Sequence, residues 1–98
     1  MTLDEFKLSL TGSQPPAGLS LALSALWYDA RGDWDRAHEC AQDQEDRDGS
    51  WVHAYLHRKE GDASNAQYWY SRAQRTFYSG DLLDEWASIV TSLLSNAS

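Results

Sequence analysis

Residues 51–66 read WVHAYLHRKEGDASNA, and residues 22–37 read ALSALWYDARGDWDRA. A shift of 29 residues between the two segments aligns four identities: Ala25 with Ala54, Gly32 with Gly61, Asp33 with Asp62 and Ala37 with Ala66. Glycine can end a helix in a left-handed turn, aspartate can cap the next helix, and alanines let two helices approach closely. The repeated pattern therefore predicts two helix-turn-helix hairpins, the building block of α-solenoids.

The remaining segments also have the patterns of helices. Thr2 and Glu5 form a capping-box pattern ahead of a short amphipathic helix over residues 2–10. The first hairpin is predicted at 19–43, with helices at 19–31 and 34–42. The second is predicted at 50–77, with helices at 51–60 and 63–76. Residues 43–49 contain no apolar side chain to bury and predict a loop, with Ser50 as the next cap. A capping helix at 81–95 completes a single all-α domain over residues 1–98.

The two hairpins resemble tetratricopeptide and Sel1-like repeats. Those repeats carry a small residue midway along the first helix, a Gly-Asp-like joint, and Ala, an aromatic and a second Ala on the second helix. The second unit matches with Ala54, Gly61, Asp62, Ala66, Tyr70 and Ala73. The first unit departs from the pattern at Ala41, where an aromatic is usual, and the 29-residue period is short. The segment 51–73 is also similar to a small family of uncharacterised helical proteins. The resemblance implies stacked helices with end caps, and it carries no assigned activity.

Composition and charge argue against several classes of protein. Fifteen acidic and eight basic residues give a net charge of -7, which argues against nucleic-acid and anionic-membrane partners. A single cysteine cannot form an intramolecular disulfide, and the N-terminus lacks the pattern of a signal peptide, so we expect a cytoplasmic protein. The sequence contains no Gly-rich phosphate loop and no nucleophile elbow. We therefore expect neither enzymatic activity nor a cofactor.

The favoured function is that of a protein-interaction module. In repeats of this kind the first helices line a groove, and Trp51, Tyr55 and Arg58 are predicted to project into it. Aromatic and arginine side chains suit the docking of a protein or peptide because they combine contact area with directional hydrogen bonds. In the alternative interpretation, the flanking helices cover this face and the aromatic residues belong to the core.

Aromatic residues around the predicted helix 63–76 favour self-association. Tyr68, Trp69, Tyr70 and Arg72 surround the helix, so they cannot all face one core. Part of this set is expected at the surface or at an interface. Tyr70 is therefore a candidate partner-binding residue in a homodimer, and scattered surface aromatics are the other interpretation.

The competing function is small-molecule or metal binding by histidines. His53 and His57 lie four residues apart on one helix face, and Glu60 extends the row as a third ligand. The other interpretation is structural, hydrogen-bonded imidazoles; without an HExxH or CxxC motif, the favoured prediction assigns no metal ligand. His38 and Cys40 are two residues apart and so on different faces, which predicts neither a Cys-His dyad nor a zinc site. Cys40 is expected to be a small buried apolar residue.

Overall fold

Six α-helices form the regular structure of residues 1–96, the part of the chain that the computed structural model describes. They are α1 (Leu3–Ser9), α2 (Leu21–Ala30), α3 (Trp34–Asp43), α4 (Arg47–Glu60), α5 (Ala63–Ala73) and α6 (Leu82–Asn96). These residues contain no strand, so the prediction of an all-α fold is confirmed. Among the same residues, no helix has the length and apolar character needed to span a bilayer.

The joints α2–α3 and α4–α5 have the same backbone geometry. Gly32 and Gly61 have φ angles of 82° and 93°, in the left-handed region that glycine tolerates best. The amides of Asp33 and Asp62 donate to the carbonyl five residues earlier, at 3.0 and 2.9 Å. Each aspartate side chain then accepts from the amide three residues later and caps the next helix. The repeated Gly-Asp pair therefore forms the same turn at both joints.

α2 lies antiparallel to α3, and α4 lies antiparallel to α5. Gln44 follows the end of α3, and its Oε1 accepts from the Ala22 amide at the start of α2, at 2.7 Å. Arg75 follows the end of α5, and its guanidinium carbon lies 3.7 Å from the ring centre of Trp51, near the start of α4. α3 also packs on α4, and α6 contacts α1, α2 and α4. The flanking helices therefore close the core around the two central pairs.

Buried tryptophans hold the flanking helices against α2. The Trp27 indole N–H donates to Ser9 Oγ on α1 at 3.2 Å. The Trp86 indole N–H, on α6, donates to the Leu26 carbonyl at 3.0 Å. Both rings are buried in the core cluster, so each combines a large apolar contact with a satisfied polar atom. The four alanines of the repeat are fully buried between the paired helices.

Three helix boundaries differ by two residues or more from the predicted ones. α4 begins four residues earlier than predicted, because Asp46 accepts from the Gly49 amide at 2.8 Å and places Ser50 inside the helix. The polar segment that was predicted as a loop has no apolar side chain to bury, but its acidic side chains Asp46 and Asp48 favour the N-terminus of a helix. α2 begins later, because Ser20 is its cap. α5 ends three residues earlier, because Gln74 has a left-handed φ of 58°.

Gly49 permits a close approach that alanine would prevent. It is buried in the first turn of α4, where a Cβ atom would lie 1.8 Å from the Gln44 backbone oxygen. Glycine-to-alanine changes within helices usually stabilise by roughly 0.5–1 kcal/mol. We expect Gly49→Ala to destabilise the protein by about 2 kcal/mol, since the backbone at Gln44 has to move. Urea unfolding measures the change, with Gly12→Ala, which meets no contact under 3.4 Å, as the control. A stabilised Gly49→Ala variant would show that the two segments do not touch.

Candidate metal centre

Three histidines from two helices converge between α3 and α4. His38 lies on α3, and His53 and His57 lie one helical turn apart on α4. One ring nitrogen from each lies within 4.8 Å of the other two. The closest pair is His38 Nε2 and His53 Nε2, which are 2.9 Å apart. We name this set the histidine cluster.

Two indole rings shield the histidine cluster. Trp34 stacks on His38 with ring centres 5.0 Å apart, and Trp69 stacks on His53 at 3.9 Å. His53 and His57 are 4% and 7% exposed, while His38 is half-buried. The imidazole planes are therefore held by packing, and His38 is the most solvent-exposed histidine of the three.

Glu60 orients His57. Its Oε2 lies 2.6 Å from His57 Nδ1, at the exposed end of α4. A carboxylate on one imidazole nitrogen fixes the ring orientation and makes the other nitrogen a better metal ligand. The sequence interpretation placed Glu60 as the third ligand. In the structure Glu60 contacts His57 instead, and His38 occupies the third position.

The local environment keeps two of these imidazoles neutral. Burial, with the neighbouring His38 and His57, lowers the pKa of His53 to about 4. Burial and then His57 lower the pKa of His38 as well. The short Nε2 contact between the two rings requires a donor on one and an acceptor on the other, as neutral imidazoles provide. Neutral imidazole is the form that binds metal ions.

Acid should destabilise the metal-free protein through His53. The pKa of His53 is about 4 in the folded protein and near ~6.5 in an unfolded chain, so the unfolded chain binds more protons between these values. The free energy of unfolding therefore falls as the pH falls through this window, by about 2 kcal/mol from pH 7 to pH 5. His38, His57 and Trp69 face the ring, and Glu60 is paired with His57.

Urea unfolding at about pH 7 and at about pH 5, in the presence of a chelator, measures this effect. The matched variant is His53→Gln, which cannot bind the proton. We expect it to lose most of the pH-dependent decrease. An equal decrease in both proteins would assign the acid sensitivity to carboxylates elsewhere.

His38 is the functional candidate that the sequence interpretation missed. The two-residue spacing from Cys40 concerns α3 alone, whereas the imidazoles that lie near His38 are on α4. The available signal was its four-residue spacing from Trp34, which puts both rings on one face of α3. That face meets α4, because the Trp34 indole N–H donates to the Leu56 carbonyl at 3.0 Å. Cys40 is half-buried rather than buried, and burial raises its pKa.

A second group of potential ligands shares His57. His57, Glu60 and Asp62 each place one ligand atom within 4.8 Å of the others. Both carboxylates are exposed, and Asp62 already caps α5 by accepting from the Asn65 amide at 3.3 Å. Because His57 belongs to both groups, a metal ion bound at one group would occupy His57 and weaken binding at the other.

The aromatic residues predicted to bind a partner lie inside the protein. The groove candidates Trp51 and Tyr55 and the homodimer candidate Tyr70 are all buried. The Tyr55 hydroxyl donates to the Asp29 carboxylate at 3.0 Å, and the Tyr70 hydroxyl donates to Glu85. Of the two interpretations of this face, the structure shows the one in which flanking segments cover it. Trp51 and Tyr55 therefore belong to the buried core.

Arg58, the third groove candidate, contacts the segment that covers this face. Its Nε donates to the Tyr78 carbonyl at 2.7 Å and lies 3.6 Å from Glu85 Oε1. A second guanidinium nitrogen donates to the Gly80 carbonyl. Burial raises the pKa of Glu85, which is 2% exposed. Arg58 thus holds the 74–81 segment and supplies the positive charge nearest to a buried carboxyl group.

Comparison of the chain with models of protein families, with curated proteins and with solved structures finds no match in any of the three. The resemblance to tetratricopeptide and Sel1-like repeats therefore stays a prediction. The function has to be argued from the chemistry of the site itself.

Proposed function

We propose that this protein binds one divalent transition-metal ion through His38, His53 and His57. The observation that carries the proposal is the convergence of three imidazoles from two helices, with ring nitrogens within 4.8 Å of one another. Zinc binds imidazole nitrogen at ~2.0–2.1 Å, so tetrahedral ligands stand about 3.3 Å apart. The 2.9 Å contact between His38 Nε2 and His53 Nε2 therefore has to lengthen slightly. Ring nitrogens that lie up to 4.8 Å apart have to move closer together. The half-buried His38 has room for that adjustment.

The ligand chemistry favours particular metals. Three imidazole ligands suit zinc, copper and nickel, whereas magnesium and calcium prefer oxygen ligands. Glu60 on His57 supplies the outer hydrogen bond that histidine-metal sites usually have. A mixed set at His57, Glu60 and Asp62 would offer two exposed carboxylates and a single imidazole, which is a weaker site for these metals.

The burial of the cluster favours holding an ion over catalysis at it. Two of the three histidines are almost fully buried, and Trp34 and Trp69 cover the rings of His38 and His53. A catalytic zinc site needs an open position that a substrate can reach. The role supported best is therefore a non-enzymatic one, in which the protein binds, stores or transfers the metal.

Equilibrium dialysis against zinc, with the bound metal measured by mass spectrometry, tests the proposal. The wild-type protein should bind one equivalent. His38→Ala should bind more than about 100-fold more weakly, since loss of a direct ligand exceeds the ~10–100-fold loss seen for outer partners. Asp62→Asn is the matched control, because the asparagine oxygen can still cap α5. Circular dichroism verifies that both variants fold.

Two results of that experiment would overturn the proposal. The first is a wild-type protein that binds no stoichiometric zinc. The second is a reversed pattern, in which Asp62→Asn loses the ion and His38→Ala keeps it, since this would place the metal at the second group of ligands.

Glu60→Gln should weaken zinc binding without changing its stoichiometry. The amide cannot supply the negative charge that polarises His57, and we expect an affinity loss on the order of 10–100-fold. Competition with a chromophoric chelator measures the affinity. Unchanged affinity would remove Glu60 from the metal centre, and a complete loss of binding would make it a direct ligand.

A further inference from the structure

A concave site separate from the histidine cluster lies where α1, α2, α4 and α6 meet. Its volume is about 390 Å³, within the usual range for small-molecule sites. Its charged lining residues are Lys7, Asp29 and Lys59, and its apolar lining residues include Leu10, Leu83 and Trp86. None of them belongs to the histidine cluster. We name it the α1–α6 pocket.

The floor of the α1–α6 pocket carries a satisfied ion pair. Asp29 is buried; its Oδ1 accepts from Lys59 Nζ at 2.9 Å and its Oδ2 accepts from the Tyr55 hydroxyl at 3.0 Å. Both carboxylate oxygens are therefore engaged, and Lys59 balances the charge. The charge of Asp29 is therefore already balanced by Lys59 before a ligand enters the pocket.

Lys7 leaves the pocket with one surplus positive charge. It is exposed on α1 and forms no ion pair with any residue of the described chain. With Asp29 and Lys59 cancelling, the lining has a net charge of +1. This local sign is opposite to the -7 of the whole chain, so the pocket is a preferred place for an anion.

The rest of the lining is apolar and partly uncovered. Leu83 is 81% exposed at the rim, beside Leu10, Ala30 and the indole of Trp86. An aliphatic chain laid along these side chains would remove apolar surface from water on both partners. An apolar wall with a few charged groups is the usual make-up of a site for an amphipathic molecule.

We propose that the α1–α6 pocket binds an amphipathic monocarboxylate of the fatty-acid class. The alkyl chain lies against Leu83 and Trp86, and the carboxylate lies between the ammonium groups of Lys7 and Lys59. A single negative charge matches the single surplus positive charge. The proposal is independent of the metal, because the two sites share no residue.

Titration with octanoate, followed by NMR of the backbone amides and of the Trp86 indole, tests the proposal. Saturable shifts should map to the pocket residues. Octylamine, with the same chain and the opposite charge, should bind at least several-fold more weakly. The His38→Ala variant should bind octanoate like the wild type, which separates this result from the metal proposal.

Two pairs of matched surface variants show which side chains contribute to the affinity for octanoate. Leu83→Ser should weaken octanoate binding about tenfold, whereas Leu8→Ser, at a leucine that is 72% exposed outside the pocket, should leave it unchanged. Lys7→Gln should weaken it about threefold, whereas Arg47→Gln, at an exposed cation away from the pocket, should not. Octylamine binding as tightly as octanoate, equal effects of the paired variants, or no saturable shift would overturn the proposal.

Discussion

Replacing Arg58 with methionine is expected to destabilise the fold by about 3–5 kcal/mol, the cost of leaving a buried charge without its partner. Glu85 is 2% exposed, and its Oε1 accepts no hydrogen bond from the described residues. The guanidinium of Arg58, 3.6 Å away, is the cation that compensates it. The substitution also removes the donors to the carbonyls of Tyr78 and Gly80.

A double-mutant cycle separates the charge from the packing. Glu85→Gln removes the buried charge and keeps an oxygen that can accept from the Tyr70 hydroxyl. The double variant Arg58→Met, Glu85→Gln should therefore be more stable than Arg58→Met alone. Urea unfolding of the four proteins gives the coupling energy. A loss of less than about 0.5 kcal/mol in the free energy of unfolding of Arg58→Met is typical of a surface substitution. That result would place Arg58 at the surface, where the docking-groove prediction put it.

Zinc at 1,000 times its dissociation constant should raise the free energy of unfolding by about 4 kcal/mol. The physical reason is that the histidine cluster exists only in the folded chain, where α3 and α4 bring His38 to His53 and His57. α3 belongs to the first helix pair and α4 to the second. A metal ion there would join the two pairs across their interface.

Urea unfolding in zinc-buffered solution measures this stabilisation. His38→Ala should lose nearly all of it, and Asp62→Asn should keep it. Residual binding of zinc to histidines of the unfolded chain would reduce the wild-type value, but it would not distinguish the two variants. An equal gain in His38→Ala and in the wild type would mean that the stabilising ion lies elsewhere.

The helix joints could be predicted from the sequence because their causes are local. Gly61 and Asp62 are adjacent, and the turn they form depends on a left-handed backbone angle and a cap three residues away. The same holds for Thr2, whose capping box with Glu5 is present as predicted. Such features are determined within a few residues, and the structure places them where the pattern predicts them.

The candidate site could not be predicted in full because its causes are not local. The spacing of His53 and His57 on one helix is visible in the sequence, but the position of His38 depends on how α3 packs against α4. The burial of Trp51 and Tyr55 likewise depends on segments outside the helix that carries them. A repeat pattern predicts an exposed face on the first helices, and in this short chain α6 and the 74–81 segment cover it.

The most direct test of the metal centre is a crystal structure of the protein grown with zinc, with anomalous diffraction recorded at the zinc absorption edge. We expect one anomalous peak about 2.0–2.1 Å from a ring nitrogen of each of His38, His53 and His57. Glu60 should remain hydrogen-bonded to the other ring nitrogen of His57. A peak bound by Glu60 and Asp62, or no peak within the histidine cluster, would contradict the account.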